Sequence, residues 1–448
     1  MDIAGLIPTF GGFFFTIAAF IVALSIIIAI HEYGHYIVGR WSGIKAEVFS
    51  IGFGPVLASR VDKHGTRWQI AALPFGGFVK FLGDQGAASD RPEESVLAGM
   101  SPEERRATMH GAPLWARSAT VFAGPAFNFA LSFLLFAILL MFRGVTSDPI
   151  TIEDIRPLPG EVTQELAAGD VILEINGVAV PPSDEFSDFS DMLVRSPELT
   201  YTVLRNGVEE TVQGPWFYPP LVLSTTPDSA AEAADLQEGD VVVSIDGVEI
   251  YDFDQLRDAV GNSDGQPLEL EVWRENAETR LVTLTPIRRD LPLQDGGFET
   301  RWLIGMTGGL LFEPAAETPS LGQAAAYGAN QISFIIESSL SGLYHMIVGK
   351  ISTCNLSGPI GIAEVSGQAA SQGWFSFFWF IALLSTAVGL LNLFPIPVLD
   401  GGHLVFHAWE AVTGNPPSDR ALKYLMAGGL TVMLALMAFS LGNDLICP

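Results

Sequence analysis

The sequence predicts an α-helical polytopic membrane protein with four spans, a membrane-associated β-sheet and two tandem β-rich modules. Three observations predict it. Four apolar runs are long enough to cross a bilayer, which takes about 20 residues. A glycine-punctuated stretch of alternating apolar and polar residues follows the first run. An acidic region in the middle of the chain repeats one ten-residue motif.

Composition points the same way. Of 448 residues, 49% are hydrophobic and only 16% charged. The net charge of −27 is unevenly spread. From Arg143 to Glu317 lie 34 of the 50 acidic residues but 10 of the 23 basic ones. This middle region reads as a solvated domain, and its charge excludes nucleic acid or an anionic membrane surface as a partner. The only cysteines are Cys354 and Cys447, so there is no disulfide framework and no Cys-type zinc site. The two can pair if both face an oxidising compartment. Met1-Asp2-Ile3 lacks the basic start of a cleavable signal peptide, so the first apolar run is expected to be retained.

The first span runs roughly from Phe10 to Val38, with no charged residue from Phe10 to Ile30. At its end stands His31-Glu32-Tyr33-Gly34-His35. Residues four apart share a helix face, so His31 and His35 can offer two imidazoles to one metal ion. Glu32, one residue round, can take a proton from a water at that metal. A solvated polar helix cap is the bland reading of the same residues. Ionisable groups inside a membrane are expensive, which favours the metal site.

Arg40 and Lys45 follow the first span, Arg117 precedes the second, and Arg420 and Lys423 flank the last. By the positive-inside rule these ends are cytoplasmic, with Arg143 as an exception. Lys45 to Leu82 reads as short strands and turns, a sheet dipping into the membrane beside the metal helix. The stretch 83–111 is a polar excursion with a helix start at Ser101-Pro102-Glu103-Glu104. The second span, about Ala116 to Phe142, contains Gly124-Pro125-Ala126-Phe127-Asn128. Small residues there permit close helix approach. Asn128 needs a partner inside the membrane, either as glue between helices or as part of the chemistry.

In the acidic middle, Gly169-Asp170-Val171-Ile172-Leu173-Glu174-Ile175-Asn176-Gly177-Val178 matches Gly239-Asp240-Val241-Val242-Val243-Ser244-Ile245-Asp246-Gly247-Val248. Each is a strand ending in an Asn-Gly or Asp-Gly hairpin turn. The repeat is too long for a solenoid turn, so it predicts two small modules in tandem. Both resemble PDZ domains, which implies binding of an extended peptide at a sheet edge. A bare spacer is the alternative.

Gln331, Glu337 and His345 interrupt the apolar stretch 320–351, which predicts a helix lying on or partly in the membrane. The third span begins near Trp374 and ends in Asn392-Leu393-Phe394-Pro395-Ile396-Pro397-Val398-Leu399-Asp400-Gly401-Gly402-His403. Two prolines two apart must break the helix. Such breaks are tolerated where the backbone lines a cavity. The fourth span runs from about Leu422 to Leu441.

The expected layout is therefore: 1–40, first transmembrane helix; 41–113, sheet and polar excursion on the cytoplasmic side; 114–143, second transmembrane helix. Then come 144–215 and 216–292, the two modules, and 293–372, an amphipathic membrane-associated helix and loop. The third transmembrane helix takes 373–403, and 404–448 holds a connecting segment and the fourth.

Catalytic zinc usually has three protein ligands. Glu47 is close in sequence to the two histidines, but Gly43 and the turns after it disfavour a continued ligand helix. No further histidine follows His35 in the spacing of metzincins. Asp400, at the broken end of another membrane helix, is the favoured third ligand. His403 and His407 compete with it.

His31-Glu32-Tyr33-Gly34-His35 together with Asn392 through His403 resembles the paired signature of the site-2 protease family of intramembrane zinc metalloproteases. With two PDZ-like modules between the second and third spans, the chain is similar to the bacterial RseP branch. The likeness extends over essentially the whole chain, including Gly124 to Asn128 and Ser357-Gly358-Pro359. It departs in the long excursion 83–111. The approach Pro159-Gly160-Glu161-Val162 of the first module is also weaker than Pro227 to Ala233 of the second.

The resemblance implies a zinc endopeptidase with Glu32 as general base and His31, His35 and Asp400 as ligands. It implies that Asn392 holds the substrate backbone near the zinc, with Pro395 and Pro397 in the same substrate-binding segment. It implies single-span substrates already cut outside the membrane, such as an anti-sigma factor, and also signal-peptide remnants. The expected place is the bacterial inner membrane, with the modules periplasmic and the active site near the cytoplasmic side. Two other classes are open to a membrane chain with these ligands. A metal transporter would not need Glu32 or peptide-binding modules, and an anchored scaffold would need no buried His, Glu or Asp.

Overall fold

The computed structural model describes residues 6–84, 99–160, 163–183, 185–226, 229–293 and 297–447. Two compact units make up the chain. One joins Met1–Leu139 to Leu321–Pro448, and the other is Leu140–Ser320.

Helix α1 (Leu6–Trp41) is the uncharged apolar run continued through the histidine motif. Ala19, Ala23, Ile27 and His31 are all buried. Four-residue spacing puts them on one stripe, so the face that packs inside the unit is the face that carries the His31 imidazole. The chain then forms one hairpin, β1 (Ala46–Val61) and β2 (Arg67–Phe81), with several register shifts. Gly52 and Gly54 adopt φ of 90° and 84°. A side chain at Gly52 would strike the Leu73 and Ala71 carbonyls, so the bulge requires glycine. The root of the hairpin packs on Tyr36 and Ile44 through Phe49, Val79 and Phe81. Its far half carries exposed Val56, Leu57, Ile70 and Leu73.

The expected helix start at Ser101 is present as a reciprocal capping box on α2 (Pro102–Arg106). Most of the excursion before it lies outside the described residues. Helix α3 (Leu114–Arg143) runs through Pro125, which has no N–H to give Val121.

In the second unit the chain forms β3 (Val145–Thr146), β4 (Ile152–Ile155), β5 (Val171–Ile175) and β6 (Val178–Ala179). A 3-10 helix over Phe186–Met192 follows, then β7 (Glu198–Arg205), β8 (Val208–Pro215) and β9 (Val222–Thr225). The second half opens with α4 (Ala230–Ala233), β10 (Val241–Ile245), β11 (Val248–Glu249) and α5 (Phe253–Gly261). It continues through β12 (Leu268–Trp273), β13 (Arg280–Leu284), β14 (Ile287–Pro292), β15 (Phe298–Leu303), β16 (Met306–Gly308), β17 (Phe312–Pro314) and β18 (Ala316–Glu317).

The sequence repeat reappears as two four-stranded sheets of matching order, β6-β5-β7-β8 and β11-β10-β12-β13. Asn176 and Asp246, at the two hairpin turns, both have positive φ, as such turns require. Each sheet covers its own apolar cluster. Part of each approach segment, Glu161-Val162 and Pro227-Asp228, lies outside the described residues. Of the rest, Ser229 caps α4, while the first module has no helix in the matching place among the described residues.

One boundary differs from expectation. The stretch from Phe298 to Glu317 does not belong with an amphipathic helix. It returns through the second unit, pairing β15 with β14, β16 with β9, β17 with β4 and β18 with β3. These strands are two to six residues long, and β16, β17 and β18 pair with distant ones, so they carry little local signal.

Back in the first unit come α6 (Leu321–Ile347), α7 (Pro359–Ser371), α8 (Trp374–Asn392), α9 (Asp400–Thr413) and α10 (Asp419–Ile446). Among the described residues, four helices are long and apolar enough to cross a membrane: α1, α3, α8 and α10. Helix α6 is not one of the four. The cysteines, whose pairing the sequence left open, form a disulfide between Cys354 and Cys447.

Candidate metal centre

Each ligand reaches the centre for a local reason. His31 and His35 are four apart on α1, so both imidazoles lie on one face. Their rings meet edge to face, with Nε2 atoms 3.2 Å apart. Asp400 starts α9 just after the proline break that ends α8. The break is tightly folded. Side chains at Gly401 or Gly402 would strike the carbonyls of Leu393, Phe394 and Ile396, so glycine is required at both. Gly429 of α10 lets Pro397 pack against its backbone.

Asp400 Oδ2 lies 3.2 Å from His31 Nε2 and 3.5 Å from His35 Nε2. With zinc-ligand bonds near 2.1 Å, two corners of a tetrahedron stand about 3.4 Å apart. The three donor atoms therefore form one face of a zinc-sized tetrahedron and leave the fourth corner open. Oδ2 is buried without a hydrogen-bond partner, as suits an atom waiting for a cation. Among the described residues these three are the one group of ligand atoms close enough to hold a metal ion. His403 and His407, the competitors for the third place, line the neighbouring cavity but do not join the group.

The ligands are backed by α3. His35 Nδ1 donates to the Thr120 carbonyl at 2.8 Å. His31 Nδ1 lies 3.2 Å from the Asn128 amide. Between them Gly124 leaves the space that both rings occupy, since a side chain there would overlap His35 Nε2 and His31 Cε1. Glu32 is met from the other side by β2. The Val79 backbone N–H hydrogen-bonds it, and Gly77 packs against its side chain. These four residues open onto a cavity of about 350 Å³, also lined by Phe78, Met109, Arg117 and Glu410.

The sequence family model for peptidase family M50 matches residues 19–436. The chain belongs to peptidase family M50. It is a site-2-type protease, a zinc metalloprotease and a bacterial membrane protein. A relative named as a zinc metalloprotease in Agrobacterium fabrum is 35% identical over 96% of this chain and 95% of its own length. One of the same description in Rhizobium meliloti is 36% identical over 96% of each. The regulator of sigma-E protease of Salmonella typhimurium is 31% identical over 96% of this chain and 98% of its own.

Of the residues singled out from sequence, His31, His35, Asp400 and Glu32 meet at one place. Asn392 ends α8 and Pro395 and Pro397 stand in the break that leads to Asp400, all three outside the residues lining the cavity. Asn392 turns its amide back to the Val388 carbonyl at 3.0 Å. Sequence reasoning missed three contacts. Asn128 was singled out without its partner and Thr120 not at all; both touch the candidate ligands, and the spacing Thr120, Gly124, Asn128 on one face of an apolar helix was the available signal. Val79 reaches Glu32. Arg117, read only as a topology signal, forms a two-pronged ion pair with Glu410 at 2.5 and 3.1 Å.

Proposed function

We propose that this M50 protease cuts single-span proteins inside the bilayer after a first cut has removed their outer domain. The observation that carries it is the placing of a complete ligand set just after the uncharged apolar run of α1 and at the break after α8. A soluble protease has no use for that depth. When bound, zinc polarises the scissile carbonyl and lowers the pKa of its water toward neutral. His31, His35 and Asp400 hold the metal. Glu32 takes the proton from the attacking water and passes it to the leaving amine. Asn392 steadies the substrate backbone, and Pro395 and Pro397 keep the helix open beside it.

A peptide bond in a membrane helix is shielded by its own hydrogen bonds, so the substrate must extend before it is cut. The edge of β2, which already reaches Glu32, offers a strand to pair with. An anti-sigma factor fits this class, as does a signal-peptide remnant. The basic flanks Arg40, Lys45, Arg117, Arg420 and Lys423 support a cytoplasmic side of the inner membrane for the catalytic end of α1. The acidic repeat unit is then periplasmic, and its two PDZ-like modules act as a size filter that a trimmed stub passes. Peptide capture by the second module is the rival reading, favoured by the intact helix at Ser229.

The test uses the full-length protein and a model substrate with and without a folded outer domain. Cleavage of the trimmed form, stopped by a zinc chelator, is expected. No cleavage by zinc-loaded protein overturns the proposal. A variant lacking both modules should cut the untrimmed form if they filter. It should slow on the trimmed form if they capture. An unchanged size preference rejects the filter.

A further inference from the structure

We infer that Asn128 is a positioning residue for the metal centre, holding His31 in the tautomer and orientation that face Nε2 to the metal. The inference rests on the zinc protease reading of this site and deepens it.

Asn128 is fully buried on α3. It is a node of three helices. Its side-chain amide faces His31 Nδ1 on α1 at 3.2 Å. Its backbone carbonyl accepts from Ser132 on its own helix and from Ser385 on α8, each at 3.0 Å. Gly389 of α8 leaves the space for its Cβ. The helix that Asn128 grips through Ser385 is the one whose broken end delivers Asp400. One residue therefore ties the first histidine to the support of the carboxylate.

The proton inventory gives the amide a direction. His31 Nε2 points at His35 Nε2 and Asp400 Oδ2, so it is the ligand atom. A neutral imidazole that binds metal through Nε2 carries its proton on Nδ1, where it must donate. Asn128 Oδ1 is buried and has no hydrogen-bond partner. Oxygen and nitrogen of an amide exchange places on a half-turn, and that turn brings the orphaned Oδ1 to the Nδ1 proton. His35 is already served in the same way by the Thr120 carbonyl. Thr120 and Asn128, eight residues apart on one face of α3, thus orient both rings with Gly124 between them. Glue between helices, the simpler role for a membrane asparagine, would need no acceptor at this atom.

The experiment measures zinc affinity of purified full-length protein by competition with a chromogenic chelator, and the thermal midpoint of the metal-free protein. Asn128→Leu keeps the volume and removes the acceptor. Asn128→Asp keeps an acceptor oxygen. Losing an outer partner of a metal-bound histidine typically weakens metal binding about 10- to 100-fold. That loss is expected for Asn128→Leu, with Asn128→Asp within about threefold of wild type. If Asn128→Leu does not fold, Asn128→Ser, too short to reach Nδ1, takes its place. Wild-type zinc affinity in the variant without an acceptor overturns the inference, even if its metal-free form melts earlier. Failure of folded Asn128→Asp to restore affinity also overturns it. Neither result touches the protease reading, which stands or falls on cleavage by the wild-type protein.

Discussion

Asp400 Oδ2 and His31 Nε2 lie 3.2 Å apart, although they come from opposite ends of the chain. The separation matches the edge of a zinc tetrahedron and makes the ligand assignment directly testable. Asp400→Ala and His35→Ala are expected to lose stoichiometric zinc by elemental analysis. If Asp400→Ala keeps one zinc per chain at wild-type affinity, the third ligand is another residue, and His403 is the next to replace.

Glu32 is expected to behave differently. It sits beside the ligands, held by Val79, and is not one of them. Glu32→Gln keeps the size and the zinc but removes the base. General acid-base assistance is worth on the order of 100- to 10,000-fold. Turnover of a model transmembrane substrate should fall by that much with zinc content unchanged. Near wild-type turnover would remove Glu32 from the mechanism.

The proline break is a geometric device. Pro395 and Pro397 stop α8, and the tight glycine turn after them starts α9 at Asp400. Replacing both prolines with Ala allows the helix to continue and shifts Asp400. A displacement of 1 Å can cost about 100-fold in rate. The double variant should insert normally, cleave far more slowly and bind zinc more weakly. Equal cleavage would show that the glycines alone set the turn.

What could be read from sequence follows from what is local. The pair His31 and His35 needs only helix periodicity, and the four spans need only composition. Asp400 was legible because two prolines advertise a break. Asn128 was legible as a polar group in need of a partner, but its partner, and Thr120 altogether, were not, since these contacts depend on how α3 packs on α1. Arg117 shows the same limit: a basic flank says nothing of Glu410, far along the chain. The strands β16 to β18 are too short for alternation to show, and their pairing with β9, β4 and β3 is entirely non-local.

The repeated Gly-Asp motif hides a repeated ion pair. Asp170 is fully buried and takes two bonds from Arg205 at 2.8 Å, and Asp240 takes two from Arg274 at 2.6 and 2.9 Å. Burial alone would raise the Asp170 pKa. The Arg205 bonds, the Ala167 N–H and the nearby guanidinium charge outweigh it and hold the carboxyl below its usual value. A carboxylate with a lowered folded pKa contributes stability above its unfolded value and loses it as pH falls through the folded one. The first module should therefore weaken only in acid, below about pH 4. Asp170→Ala leaves Arg205 its bonds to Glu210 and the Glu165 carbonyl but removes the buried acceptor of Arg205 and of the Ala167 N–H, and should cost about 1 to 3 kcal/mol at neutral pH. Thermal melts followed by circular dichroism check both, and a loss below 1 kcal/mol would show that the pair is not structural.

The end of α10 forms a clasp on the start of α7. The residue before α7 is Gly358, which has no side chain to cap the helix. Asp444 of α10 does so instead, accepting from the backbone N–H groups of Gly358, Ile360 and Gly361 at 2.7, 3.0 and 3.3 Å. Asn443 adds a bond to the Thr353 carbonyl at 2.7 Å, and Cys447 is joined to Cys354. Three neighbouring residues thus hold one short segment. Helix α7 in turn packs on α1, with Gly367 against Thr16, so the clasp supports the helix that carries the histidines. Asp444→Ala removes the capping acceptor of partly buried and exposed donors, at a cost of about 0.5 to 2 kcal/mol. Cys354→Ser alone leaves Asp444 and Asn443 in place and should cost less than it does in the Asp444→Ala background. The two changes act on one segment, so a double-mutant cycle of thermal stabilities should show coupling of about 0.5 kcal/mol or more. Strict additivity would mean that the disulfide and the cap act on separate parts of the fold.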